Sequence, residues 1–254
     1  MALFTDGPAA SIDDLTAQDS QLLNVASVEG IDVTQKLALA QDQISLELTT
    51  MLTRLSYVDQ LFWLAPQPNI GSVVVTPSLK LWHAFRTLEM VYTDAYNSQL
   101  NDRYAGRRDQ FHEAAKWAYE KLQQIGVGMV TFPLAQAVTP NAVATPGNLP
   151  DGTYYVTLAW LNTAGEEGAP AVATAVSTTG STFLVQPGPA PQNAVAWNVY
   201  AGTDPNALEL QNASPIAAGQ TWVQPGTVTT GGRAPGTGQE PNYTKPLPRV
   251  IQRG

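Results

Sequence analysis

Residues 152–171, GTYYVTLAWLNTAGEEGAPA, decide how the second half of this 254-residue chain folds. Tyr154, Val156, Leu158 and Trp160 alternate with smaller or more polar residues. That period-two pattern predicts a strand with one face buried, closed by a turn at Asn162-Thr163-Ala164-Gly165. Residues 194–225, AVAWNVYAGTDPNALELQNASPIAAGQTWVQP, repeat the arrangement. Here Trp197, Val199 and Tyr200 run into a Gly-Thr-Asp-Pro-Asn turn. Strand patterns separated by turn clusters every 8–12 residues or so predict a β-sandwich, placed at 153–241.

Outside that stretch the physics changes. Residues 1–134 hold 9 Lys/Arg and 15 Asp/Glu; residues 135–254 hold 4 and 6, with no Lys or Arg between Lys121 and Arg233. The shift predicts a domain boundary. Residues 135–152, AQAVTPNAVATPGNLPDG, read as a linker, with three prolines, two glycines and one charge. The first half reads as helices. Ser11 before Ile12-Asp13-Asp14 predicts a capped helix running to Gly30. Val33, Leu37, Ala40, Ile44, Leu48, Met51 and Leu55 form one face of a long second helix. Thr76-Pro77 starts a third, carrying Trp82, Phe85, Leu88, Tyr92 and Tyr96. A fourth, from about Arg107 to Gln124, places Phe111, Ala115, Ala118, Leu122 and Ile125 on one face before Gly126 and Gly128 stop it. The expected fold class is therefore α+β multidomain, an N-terminal helical bundle followed by an all-β sandwich and, from residue 242, an extended basic tail.

Composition excludes several classes. With 44% hydrophobic residues the chain is not disordered throughout. A net charge of −8 and pI near 4.6 oppose non-specific DNA binding. The absence of cysteine removes disulfides and thiolate metal sites. The opening MALFTDGPAASIDD has no basic, apolar leader pattern, so no signal peptide is expected, and no run reaches the ~18 apolar residues of a membrane span.

Two sets of residues carry a resemblance. The G-T-Y-Y-V, W-x-N-x-x-G-E-E and W-N-V-Y-x-G strings resemble the fibronectin- or immunoglobulin-like modules of tailed-bacteriophage structural proteins. Residues 10–135, with the helical pattern, N-D-R-Y-x-G-R at 101–107 and G-V-G-M-V at 126–130, resemble the head-to-tail adaptor (connector) proteins of the same particles. The resemblance implies a structural virion protein at the neck, between head and tail, made in the host cytoplasm. It implies a ring of twelve copies beneath the portal protein, contacts to that portal and to a downstream tail or nozzle protein, and a channel through which DNA passes without sequence-specific binding. An acidic lining suits such passage. The alternative is a surface decoration or fibre-attachment protein binding host glycan or another fibre.

No enzyme is expected, and no cofactor or metal. His83 and His112 lack ligand spacing and read as surface or core-edge residues; there is no nucleophile motif or phosphate loop. Glu166-Glu167 read as solvated turn acids. Core packing is the expectation for the tryptophans other than Trp63. Leu61, Phe62, Trp63 and Leu64, an apolar patch in a proline-flanked loop, are the candidate portal or subunit contact, together with the basic cluster Arg103, Arg107 and Arg108. Lys245, Arg249, Val250, Ile251 and Arg253 are the candidate assembly arm, kept from helix by Pro246 and Pro248.

Overall fold

The computed structural model describes residues 1–56, 69–99 and 102–245. The protein is α+β, a helical region followed by antiparallel sheets. Ser11 and Asp14 exchange side-chain and backbone hydrogen bonds, a capping box that opens α1 (Ile12–Gln18). The single helix expected up to Gly30 is in fact two. Asp19 is extended, and its buried carboxylate accepts from the Gln21 N–H and the Tyr92 hydroxyl. That side chain replaces a helical carbonyl as acceptor, and the chain restarts as α2 (Leu22–Glu29). Gly30 closes α2 at φ 68°, in the left-handed region. Asp32 accepts from the N–H groups of Thr34 and Gln35 and so caps α3 (Val33–Ser56). The predicted face of α3 is buried from Val33 to Met51.

α4 (Pro77–Gln99) is the central helix, packed against α1, α2, α3 and α5 (Ala105–Ile125). Leu15, Leu22, Leu88 and Val91 are fully enclosed in this core, each stabilising it by about 1.5–3 kcal/mol. Tyr92 stacks on Phe111, with ring centroids 5.4 Å apart. On α5 the expected face is buried from Phe111 to Leu122, but Ile125 is 48% exposed because the helix ends there and the chain turns away at Gly126. Gly126 has φ 110°, and a Cβ there would lie 3.0 Å from the Thr244 carbonyl oxygen. β1 (Val127–Met129) follows, bridged by Met129 to Val73.

The remaining strands are β2 (Asn141–Pro146), β3 (Gly152–Leu161), β4 (Thr174–Thr178), β5 (Ser181–Gln186), β6 (Ala196–Gly202), β7 (Glu209–Leu210), β8 (Ile216–Ala217), β9 (Trp222–Val223) and β10 (Asn242–Thr244). One sheet runs β4-β3-β6-β7, with β8 also on β6; another runs β2-β5-β9. The two motif strands are direct neighbours, with Leu158 opposite Val199 and Trp160 opposite Trp197. Their inner side chains share one core with Phe183 and Val185 of β5. The alternation expected of β3 holds only at its start. Thr157 and Ala159, expected outward, are buried, because Tyr200 and Leu208 build a smaller cluster over that face and Thr157 donates to the Ala171 carbonyl.

Domain bounds differ from the sequence expectation in three places. Residues 141–146 of the expected linker are strand β2, paired with β5 along all six residues, since small and β-branched residues fit a pleated edge. Met1–Asp6 group with Phe132–Glu240. Leu3 and Phe4 are buried there, the Met1 ammonium donates to the Gln239 carbonyl at 2.7 Å, and Asp6 accepts from the Gln136 N–H. Pro241 onward groups with the helices, because β10 pairs with β1.

Candidate interaction site

α3 and α5 both pack on α4 and leave part of it open. The result is a groove of ≈ 530 Å³, lined by Gln43, Leu46 and Glu47 of α3, Trp82, Arg86 and Glu89 of α4, and His112, Lys116 and Tyr119 of α5. Trp82 and Tyr119 lie 4.9 Å apart, centroid to centroid, and form an aromatic floor. Glu89 organises the polar wall. Its carboxylate accepts from Arg86 at 2.7 Å and pairs with His112 Nδ1 at 2.8 Å, while Arg86 Nε donates to Gln43 at 2.9 Å. An ionised carboxylate only accepts, so Nδ1 of His112 carries the proton toward it. Glu89 is itself mostly enclosed, whereas the His112 ring is 60% exposed. Among the described residues no Ser, Thr or Cys lines the groove, and no three His, Asp or Glu side chains gather as a metal site. The arrangement offers an apolar floor and a charged rim for a side chain to enter.

Arg103, Arg107 and Arg108 lie together at the α4–α5 connection, Arg103 in a 3-10 turn and the other two in the first turn of α5. Arg108 pairs with Asp109 at 2.8 Å and lies over the Tyr96 ring at 4.4 Å. Arg107 reaches Gln110, and Arg103 sits over Tyr104. Cations at a helix N-terminus oppose its dipole, so packing on tyrosines and pairing to Asp109 hold them there. Leu61, Phe62, Trp63 and Leu64 lie outside the described residues, as do Arg249, Val250, Ile251 and Arg253. Lys245 follows β10 directly.

Three side chains stand elsewhere than the sequence suggests. His83 is completely buried. It accepts from the Ala10 N–H through Nδ1 (2.9 Å) and lies 3.0 Å from the Leu37 carbonyl through Nε2, which fixes the neutral Nε2–H tautomer. Burial holds its pKa below the ordinary histidine value. Trp117, expected in the core, is 48% exposed on α5. Glu167 is not a solvated turn acid. Its carboxylate, about one-tenth exposed, accepts from the Tyr200 hydroxyl, Asn198 and both terminal nitrogens of Arg233. Burial and that carboxylate push the Tyr200 hydroxyl well above its usual range. Glu166 in turn accepts from Asn162 and Gln239. The two acids thus pin Arg233 and Gln239 to the sheet.

The groove was not readable in advance. Arg86 and Glu89 are an ordinary i, i+3 pair in the sequence, and only the meeting of α3, α4 and α5 adds Gln43 and His112. No family model, no curated protein and no solved structure matches the chain.

Proposed function

We propose that the protein is a structural component of a tailed-bacteriophage particle, a head-to-tail adaptor that forms a ring beneath the portal protein, joins it to a tail or nozzle protein and lines the DNA exit channel. In this reading Phe132–Glu240 is an immunoglobulin- or fibronectin-like sandwich carried on the helical adaptor body, and the protein performs no catalysis. The observation that carries the reading is the coupling of two motif sets in one chain. The N-D-R-Y-x-G-R and G-V-G-M-V strings flank α5 of a helical bundle, and the G-T-Y-Y-V and W-N-V-Y-x-G strings pair as neighbouring strands. The net charge of −8 suits a wall that lets DNA slide. No helix among the described residues is long and apolar enough to cross a membrane. Labelling the protein in intact particles tests the reading, which requires label at the neck.

One observation favours a second reading, surface decoration or fibre attachment. Val143, Leu184 and Val223 lie in register across β2, β5 and β9, and Val143 and Val223 are each more than 40% exposed. An apolar row on strands that themselves carry no lysine or arginine suits a packing partner. Label over the capsid or fibres would select this reading.

A further inference from the structure

The groove and the exposed tryptophan lie on opposite flanks of the same helix. At ~100° per residue, the groove-lining positions of α5 centre roughly 150° around the helix from Trp117. A two-fold axis makes the patch and the receptor of each copy meet those of the other within one face, which such separation opposes, whereas a head-to-tail contact lets each meet the other on the next molecule.

We propose that Trp117 of one copy docks in the α3–α4–α5 groove of the next copy, making a heterologous self-interface. The occupant follows from shape and charge. The groove, ≈ 530 Å³ with Trp82 and Tyr119 as floor, falls within the roughly 300–1,000 Å³ range of cavities that enclose a ligand-sized group. An indole stacks well on such a floor. Trp117 is flanked on its own helix by Glu113 and Glu120, both exposed, and neither makes an ion pair among the described residues. Lys116 at the groove rim likewise has no ion pair among them, and His112 and Arg86 stand beside it. Glu113 and Glu120 beside the inserted tryptophan can therefore face Lys116 and Arg86 at the groove, while Lys121, one turn from Trp117, can face the groove's exposed Glu47. Leu46, 71% exposed at the opposite rim, supplies apolar cover for the indole. Repeated head-to-tail contact builds a ring or a filament. The proposal deepens the adaptor reading and rests on it only for closure into a ring.

The experiment measures mass by light scattering and sedimentation for the full chain, for Trp117→Ala, for Leu46→Asp, and for the two variants mixed. Both positions are exposed, so circular dichroism should match the unaltered protein; if one variant loses helix, the other decides. The unaltered chain should self-associate. Each variant alone should raise the dissociation constant at least about thirtyfold, the effect of truncating an interface tryptophan worth about 2 kcal/mol. The mixture should give a one-to-one dimer that grows no further, because one variant keeps its tryptophan and the other its groove. A monomeric unaltered chain, variants that associate like it, or a mixture that stays monomeric would each overturn the interface. None of these results moves the protein's location in the particle, which judges the adaptor reading separately.

Discussion

The helical region and the strand region use charge in opposite ways. The strand region has few ionic side chains, and one of them, Glu167, turns inward to collect Tyr200, Asn198 and Arg233, while the exposed Glu166 holds Gln239. The helical region has many, and one set of them lines an open groove, where Glu89 is enclosed but its partners Arg86 and His112 reach the surface. Scarcity and exposure thus separate roles. Glu167, besides its exposed partner Arg233, holds the buried Tyr200 and Asn198 and so ties the fold together, whereas Glu89 holds only Arg86 and His112, both of which reach the surface and stay available to another molecule.

Removing each central acid should break the comparison open most directly. Glu167→Ala strips the acceptor from the Tyr200 hydroxyl and the Asn198 amide, and should cost about 2–4 kcal/mol in urea unfolding. Tyr92→Phe, which leaves the buried Asp19 carboxylate without its hydroxyl donor, should cost about 1–3 kcal/mol. Glu89→Ala should cost only about 0.5–1.5 kcal/mol, since Arg86 and His112 regain water. If Glu89→Ala proves as damaging as Glu167→Ala, the contrast between the two regions fails.

The smallest effect is a pH dependence confined to the helical region. Burial lowers the folded-state pKa of His83, so the unfolded chain takes the proton first as pH falls. The contribution of His83 is full above pH ~6.5, the ordinary histidine value, and is lost progressively below it toward the lower folded-state value. Protonation also sets a second N–H against the Ala10 N–H. His83→Gln should flatten the dependence between pH ~6.5 and 5. An unchanged slope would assign the acid sensitivity to other groups.

Helices were legible wherever local chemistry decided them: the Ser11 box, the Thr76-Pro77 start and the faces of α3 and α5 follow from spacing and caps. The break at Asp19 was not, because its cause is Tyr92, 73 residues away. The strands around Leu158 and Val199 were legible from their apolar and turn residues, but their pairing was not. β2 was hidden in a proline-rich stretch whose pairing with β5 depends on the distant register. The basic cluster at Arg103 was visible as composition. The groove was not, since its lining comes from three helices whose relative placement no local pattern encodes. Glu167 looked like a turn acid until Arg233 and Tyr200 folded over it.

The central claim is a place in a particle, and a cryo-EM reconstruction of the neck of particles containing this chain tests it most directly. The account predicts density for α3, α4 and α5 repeated around a ring between portal and tail, with the strand region of each copy present as well. A continuous portal-to-tail junction with no density for this chain, and its density found instead on the capsid lattice or on fibres, would contradict it.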